Sequence, residues 1–135
     1  MGESIDLRTY SPLTFAFLGD AVYSLYIRDA VVRKGNMPSH KLHKKTSGIV
    51  NARAQAEAMD ALMEHLSEEE REIASRGIGA KPEHHAKNAS PADYHKATGL
   101  EALFGYLYLK GRHERIRELT ERCIRIAEGD AADGD

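Results

Sequence analysis

Leu13-Thr14-Phe15-Ala16-Phe17-Leu18-Gly19-Asp20-Ala21-Val22-Tyr23-Ser24-Leu25-Tyr26-Ile27 carries a single charge, Asp20, in the middle of an apolar stretch. Ser11-Pro12 stands just before it. A capping serine followed by proline at the first helical position opens a helix. The spacing predicts one helix from about Pro12 to Lys34, stopped at Gly35-Asn36. On that helix Leu13, Ala16, Phe17, Tyr23, Ser24 and Ile27 flank Asp20, and none is basic. A lone carboxylate in a buried segment is costly unless it is paired, hydrogen-bonded or bound to a metal.

A second stretch repeats the pattern. Ala97-Thr98-Gly99-Leu100-Glu101-Ala102-Leu103-Phe104-Gly105-Tyr106-Leu107-Tyr108-Leu109 has Glu101 as its only charge, again with no Lys or Arg at helical spacing. Two such acids are expected to meet, and like charges that meet need a cation between them. Gly19, Gly99 and Gly105 interrupt these segments. Glycine costs a helix roughly 1 kcal/mol relative to alanine. The cost makes sense if the two helices approach closely there and set Asp20 beside Glu101. The expectation is a divalent-metal site built on Asp20 and Glu101, and hence metal-assisted chemistry.

Nearly everything else also reads as helix. Pro38-Ser39 opens a segment from His40 to about Lys45, and an Ala-rich stretch spans Ser47 to Leu66. Ser67 followed by Glu70 has the form of a capping box and starts a short acidic helix to about Ser75. Arg76 to Pro91 holds Gly77, Gly79, Pro82 and Pro91 with no apolar period, and reads as a long loop. Loops of that length are uncommon in compact domains and are often functional. Helix resumes at Pro91 and runs to Lys110, and a last one covers His113 to Glu128. No strand-like alternation or repeat is present. The class is all-α, with one domain over residues 6–128 and an acidic flexible tail over 129–135.

With 135 residues, 41% hydrophobic and 30% charged, the chain can bury a core and has the composition of an ordinary globular protein. No stretch has the length and apolarity of a membrane span, and the first residues lack the basic-then-apolar order of a signal peptide. Cys123 is the only cysteine, which allows no internal disulfide and fits a reducing cytoplasm. The net charge of −2 conceals an asymmetry: residues 28–53 carry seven basic residues and one acid, residues 57–72 the reverse. One face could therefore bind a polyanion, although both runs also fit ordinary solvated helix surfaces.

The motifs resemble a known family. Phe17-Leu18-Gly19-Asp20-Ala21-Val22 is similar to the signature helix of the ribonuclease III family, and Ala97 to Gly105 resembles its second acidic helix. The order and the all-helical context agree. Leu42-His43, Ala52-Arg53-Ala54-Gln55-Ala56, Lys87-Asn88 and Asp93-Tyr94 resemble the short Mini-III branch, which has the catalytic domain without a double-stranded RNA-binding domain. Longer members place four acids at the site; Leu13 and Thr98 stand at two of those positions here, as the short branch's reduction implies.

The resemblance implies a symmetric homodimer that hydrolyses double-stranded RNA with Mg²⁺, for which Mn²⁺ can substitute, leaving 5′-phosphate and 3′-hydroxyl ends. Asp20 and Glu101 would hold the metal, and Thr98 one of its waters. Ribosomal RNA precursor, of the large subunit above all, is the implied substrate, with a ribosomal protein as a possible helper. RNA contacts are expected from Lys44, Lys45 and Arg53 on one surface. A second set is Arg76, Lys81, Lys87, Asn88 and Lys96, on the loop leading into the Glu101 helix. Neutralising any one phosphate-binding cation should lower the salt slope of binding by about one. Phe17 stands where the family inserts an aromatic into its partner, but a core position fits it equally.

Other readings are weaker. Zinc finds no Cys/His grouping of suitable spacing, and Cys123 reads as a small buried apolar group. A non-catalytic RNA-binding module on the same fold would not need Asp20 and Glu101. A helical scaffold without RNA leaves both the acids and the basic loop unexplained.

Overall fold

The computed structural model describes residues 5–80 and 90–129. Its helices are α1 (Pro12–Arg33), α2 (Ser39–Val50), α3 (Ala52–Leu62), α4 (Glu68–Gly79), α5 (Pro91–Leu109) and α6 (His113–Ala127), with short 3₁₀ turns at Leu7–Thr9 and Met63–His65. Among the described residues there is no strand and no helix long and apolar enough to cross a membrane. The fold is all-α, as expected.

Helix α5 is the axis of the bundle and packs against α1, α3, α4 and α6. From Ala97 to Leu107 every residue except Glu101 is buried. A helix surrounded on all sides needs apolar residues all round, which explains why this sequence has no polar face. Around it Phe15, Tyr23, Ile27, Met59, Leu62, Leu119 and Ile124 close the core.

Glycines set how closely the helices pack. A methyl group on Gly19 would run into the main-chain carbonyl of Glu101, and one on Gly105 into that of Phe15. Helices α1 and α5 therefore cross backbone to backbone, as the interior glycines implied. A methyl on Gly77 would stand 2.8 Å from the Cα of Gly99, so α4 and α5 touch in the same way.

Serine side chains cap α1, α4 and α5. Ser11 Oγ accepts from Leu13 N at 3.0 Å, and Ser90 Oγ accepts from Asp93 N at 3.1 Å. The Ser67–Glu70 capping box is complete in both directions. Its Glu70 is buried, and Arg115 on α6 grips it with two nitrogens at 2.8 and 2.9 Å. Burial alone would raise the Glu70 carboxyl; the Arg115 and Ser67 hydrogen bonds outweigh it and hold the group below its ordinary value.

Three boundaries differ from the sequence reading. The second helix is longer, Ser39–Val50, and the Ala-rich stretch is not continuous with its beginning. Asn51 breaks it: the backbone there is extended, its Oδ1 caps α3 by accepting from Ala54 N, and its Nδ2 donates to Ser47 O. The third difference is α4, which continues past Ser75 to Gly79. Gly77, a helix breaker by its sequence context, is a contact glycine, and the continued helix places Arg76 on α4 rather than on a loop.

Candidate active site

Asp20 and Glu101 come together. Both line a small pocket of about 270 Å³ with Leu13, Ala16, Phe17, Tyr94 and Thr98. The α1–α5 crossing at Gly19 makes the meeting possible, because the residue next to Asp20 lies against the backbone of Glu101 itself.

The two acids have unlike surroundings. Glu101 is half-buried, and its carboxyl is pushed up to about 8, first by burial and then by the Asp20 charge beside it. Asp20 is exposed. The expectation of two buried carboxylates is thus corrected for Asp20. Helix α1 is apolar on both faces, and Asp20 stands where they meet: Ala16 and Tyr23 on one side of it are buried, whereas Phe17 on the other is 85% exposed, as are Leu25 at 61% and Val32 at 59% farther along. The burial cost therefore falls on Glu101 alone. Among the described residues no ion pair neutralises either carboxylate.

One neighbour was not singled out from the sequence. Gln55 on α3 is buried, and its Nε2 donates to Glu101 Oε2 at 3.3 Å. A signal existed: Gln55 shares the i, i+4, i+7 stripe with Met59 and Leu62, both fully buried. A lone polar residue on a core stripe needs a partner. Thr98 is also buried; its hydroxyl donates to Tyr94 O at 2.9 Å, which leaves the oxygen free to accept within the pocket.

A divalent cation fits this donor set. Two carboxylates share one pocket, and burial, followed by the Asp20 charge, pushes the Glu101 carboxyl up to about 8. Among the described residues no third His, Cys, Asp or Glu joins them. A hard cation with two protein carboxylates completes its shell with water and substrate oxygens, the habit of Mg²⁺. Cys123 offers no competing nucleophile, since burial pushes its thiol up to about 12.

The expected RNA contacts are spread over several surfaces. Lys44 and Lys45 are exposed on α2, where they line a depression with His40, Lys41 and Ile49. Arg53 is exposed on α3 and pairs with Glu57 at 3.5 Å; Lys96 on α5 pairs with Asp60 at 2.9 Å. Both stand on the helices that carry Gln55 and Glu101. Arg76 borders a different depression, with Glu69, Glu72 and Lys110, and reaches Tyr10 O at 3.5 Å. Lys81, Lys87 and Asn88 lie outside the described residues. Phe17 is on the surface at the pocket's edge, which removes its reading as a core residue.

Comparison with known proteins shows the family of the chain. Residues 13–112 match the model of the ribonuclease III domain. The chain is 47% identical over 118 residues to a Mini-ribonuclease 3 of Thermoanaerobacter sp., covering 87% of this chain and 83% of that protein. It is 46% identical to one from Brevibacillus brevis, with 90% of each chain covered. A crystal structure of a Fusobacterium nucleatum protein superposes with a TM-score of 0.79 at 33% identity, over 90% of this chain and 98% of that one.

Proposed function

The chain belongs to the ribonuclease III family of double-strand-directed endoribonucleases, and from that premise we propose a Mg²⁺-dependent enzyme whose catalytic centre is the Asp20–Glu101 pair. The observation that carries the proposal is the convergence of the two carboxylates in one pocket, with Glu101 raised to about 8 by burial and by Asp20.

Asp20 and Glu101 would hold the cation. When bound, it supplies Lewis acidity, lowering the pKa of an attacking water and offsetting charge on the phosphate. Everything else falls to the chain. Gly19 and Gly105 fix the spacing of the two acids through the backbone. Leu13, Ala16 and Phe17 wall the pocket with apolar surface, which lowers the local dielectric and strengthens the charge interactions inside. Thr98 Oγ1, which donates its own hydrogen to Tyr94 O, keeps lone pairs that would accept a hydrogen bond from a water in the pocket.

The substrate we propose is ribosomal RNA precursor, chiefly of the large (23S) subunit, cut to 5′-phosphate and 3′-hydroxyl ends in the cytoplasm, with a ribosomal protein able to help present it. A-form duplex is recognised by shape, phosphates and 2′-hydroxyls, and the exposed Lys44 and Lys45 offer such contacts. A homodimer places two centres on the two strands. The exposed apolar stripe of α1 supports it: Phe17, Ala21, Leu25, Arg28 and Val32 share one helical face, and its three large apolar members are uncovered in the single chain.

Incubation with a long RNA duplex, with and without Mg²⁺, tests the proposal. Cutting requires the metal, and Asp20→Asn or Glu101→Ala lowers the rate by about a hundredfold or more while the helical fold persists. Binding without cutting by the unmodified protein would instead mark a non-catalytic RNA-binding module.

A further inference from the structure

Resting on the metal-centre reading above, we propose that Gln55 is a positioning residue of that centre: its buried amide aims the Glu101 carboxylate at the cation without neutralising it. Three observations converge on it. Gln55 is 5% exposed, in a position otherwise given to core apolar groups such as Met59 and Leu62. Its Nε2 donates to Glu101 Oε2. And α3, which carries it, packs along α5, which carries Glu101.

The chemistry of the amide explains its presence. A carboxylate on an unbranched side chain turns freely about its last bonds, so one fixed oxygen leaves the other with a defined direction. Lys or Arg at position 55 would hold Glu101 as firmly, but its charge would compete with a divalent cation for the same carboxylate. A hydrocarbon would leave the carboxylate unanchored and more poorly solvated. Glutamine donates a hydrogen bond and carries no charge, so it orients the ligand while leaving the site's negative charge for the cation. The amide is also the one group whose hydrogen bond favours the ionised form of Glu101, against burial and against Asp20.

Gln55→Met tests this, because it keeps the unbranched length and removes the amide. The probe is Mn²⁺ alone, titrated calorimetrically into the full chain without RNA, with the unmodified protein and Glu101→Gln as references. The expected result is Mn²⁺ binding about 10–100-fold weaker in Gln55→Met, with the metal-free variant still unfolding in one cooperative transition. Cutting of a long RNA duplex shifts to higher Mn²⁺ concentration and recovers when the metal is saturating, a separation that a mere packing defect would not give. Gln55→Asn keeps the amide but draws it back by one methylene, and it carries the same expectation should Gln55→Met fail to fold. If the unmodified protein binds Mn²⁺ and Glu101→Gln does not, yet both Gln55 variants bind like the unmodified chain, the positioning role is overturned and the metal centre stands. If the unmodified protein binds no Mn²⁺, or Glu101→Gln binds it equally well, the metal-centre reading falls and takes this role with it.

Discussion

Glu101 is a carboxyl whose ordinary value lies near 4.5 and which burial, followed by Asp20, carries to about 8. The folded chain thus holds a proton between those values that the unfolded chain has released. Stability from this group is fully present below about 4.5, declines as pH rises, and is gone above about 8. A cation bound in the pocket would replace that proton, so its stabilising effect would grow over the same window. The rise in melting temperature given by a fixed Mg²⁺ concentration should be small at pH 6 and larger at pH 8. Glu101→Gln should remove that dependence and stabilise the metal-free protein at pH 8 by roughly 1–2 kcal/mol. A Mg²⁺ increment that is flat across pH would show that Glu101 is not the group displaced. That Glu101 is a costly acid was legible from its apolar neighbours. That Asp20 is not was illegible, because α1 is apolar on two faces and periodicity does not say which one the core takes.

At the scale of elements, glycine decides the geometry. Gly105 meets the Phe15 carbonyl and Gly19 the Glu101 carbonyl, both main-chain atoms that cannot move aside without separating the helices. Gly105→Ala should cost at least about 3 kcal/mol, at the severe end of single substitutions, and should reduce cutting even in the fraction that stays folded. Gly48, inside α2, has open space where a methyl would go. Gly48→Ala should therefore gain about 0.5–1 kcal/mol. Chemical denaturation of the two variants checks both signs, and similar effects from both would contradict close packing at the α1–α5 crossing. The interior glycines Gly19 and Gly105 mark the α1–α5 crossing as their sequence setting implied, whereas Gly99, expected at the same crossing, packs against Ala74 and Ile78 of α4. Gly77 misled for a physical reason: Gly79 and Pro82 follow it closely, so nothing local separates a contact glycine from a helix end. Asn51 likewise ends α2 and caps α3 through its own side chain, within a stretch whose alanines favour unbroken helix.

The molecule as a whole leaves an apolar stripe uncovered along α1, at the edge of the pocket that holds Asp20. In the proposed homodimer the same stripe of a second copy would cover it, burying Phe17, Leu25 and Val32 and setting two acid pockets near one interface. The unmodified protein should sediment as a dimer, and Phe17→Glu should shift it to monomer because a charge would be forced into the apolar contact. An unmodified chain that sediments as a monomer at micromolar concentration would rule this arrangement out. The residues proposed to meet RNA are the hardest to choose from sequence. Exposure and sign of charge are common to every basic residue on the surface, and only the fold reveals that Lys96 and Arg53 are paired with Asp60 and Glu57, whereas Lys44 and Lys45 line a depression on α2 with Lys41.

In the proposed centre two carboxylates, from α1 and α5, would share one cation. A crystal grown in Mn²⁺ and measured at the manganese absorption edge tests this directly. An anomalous peak is predicted in the pocket, about 2.0–2.3 Å from an oxygen of Asp20 and an oxygen of Glu101. A peak elsewhere, with Asp20 and Glu101 free of metal, would contradict it.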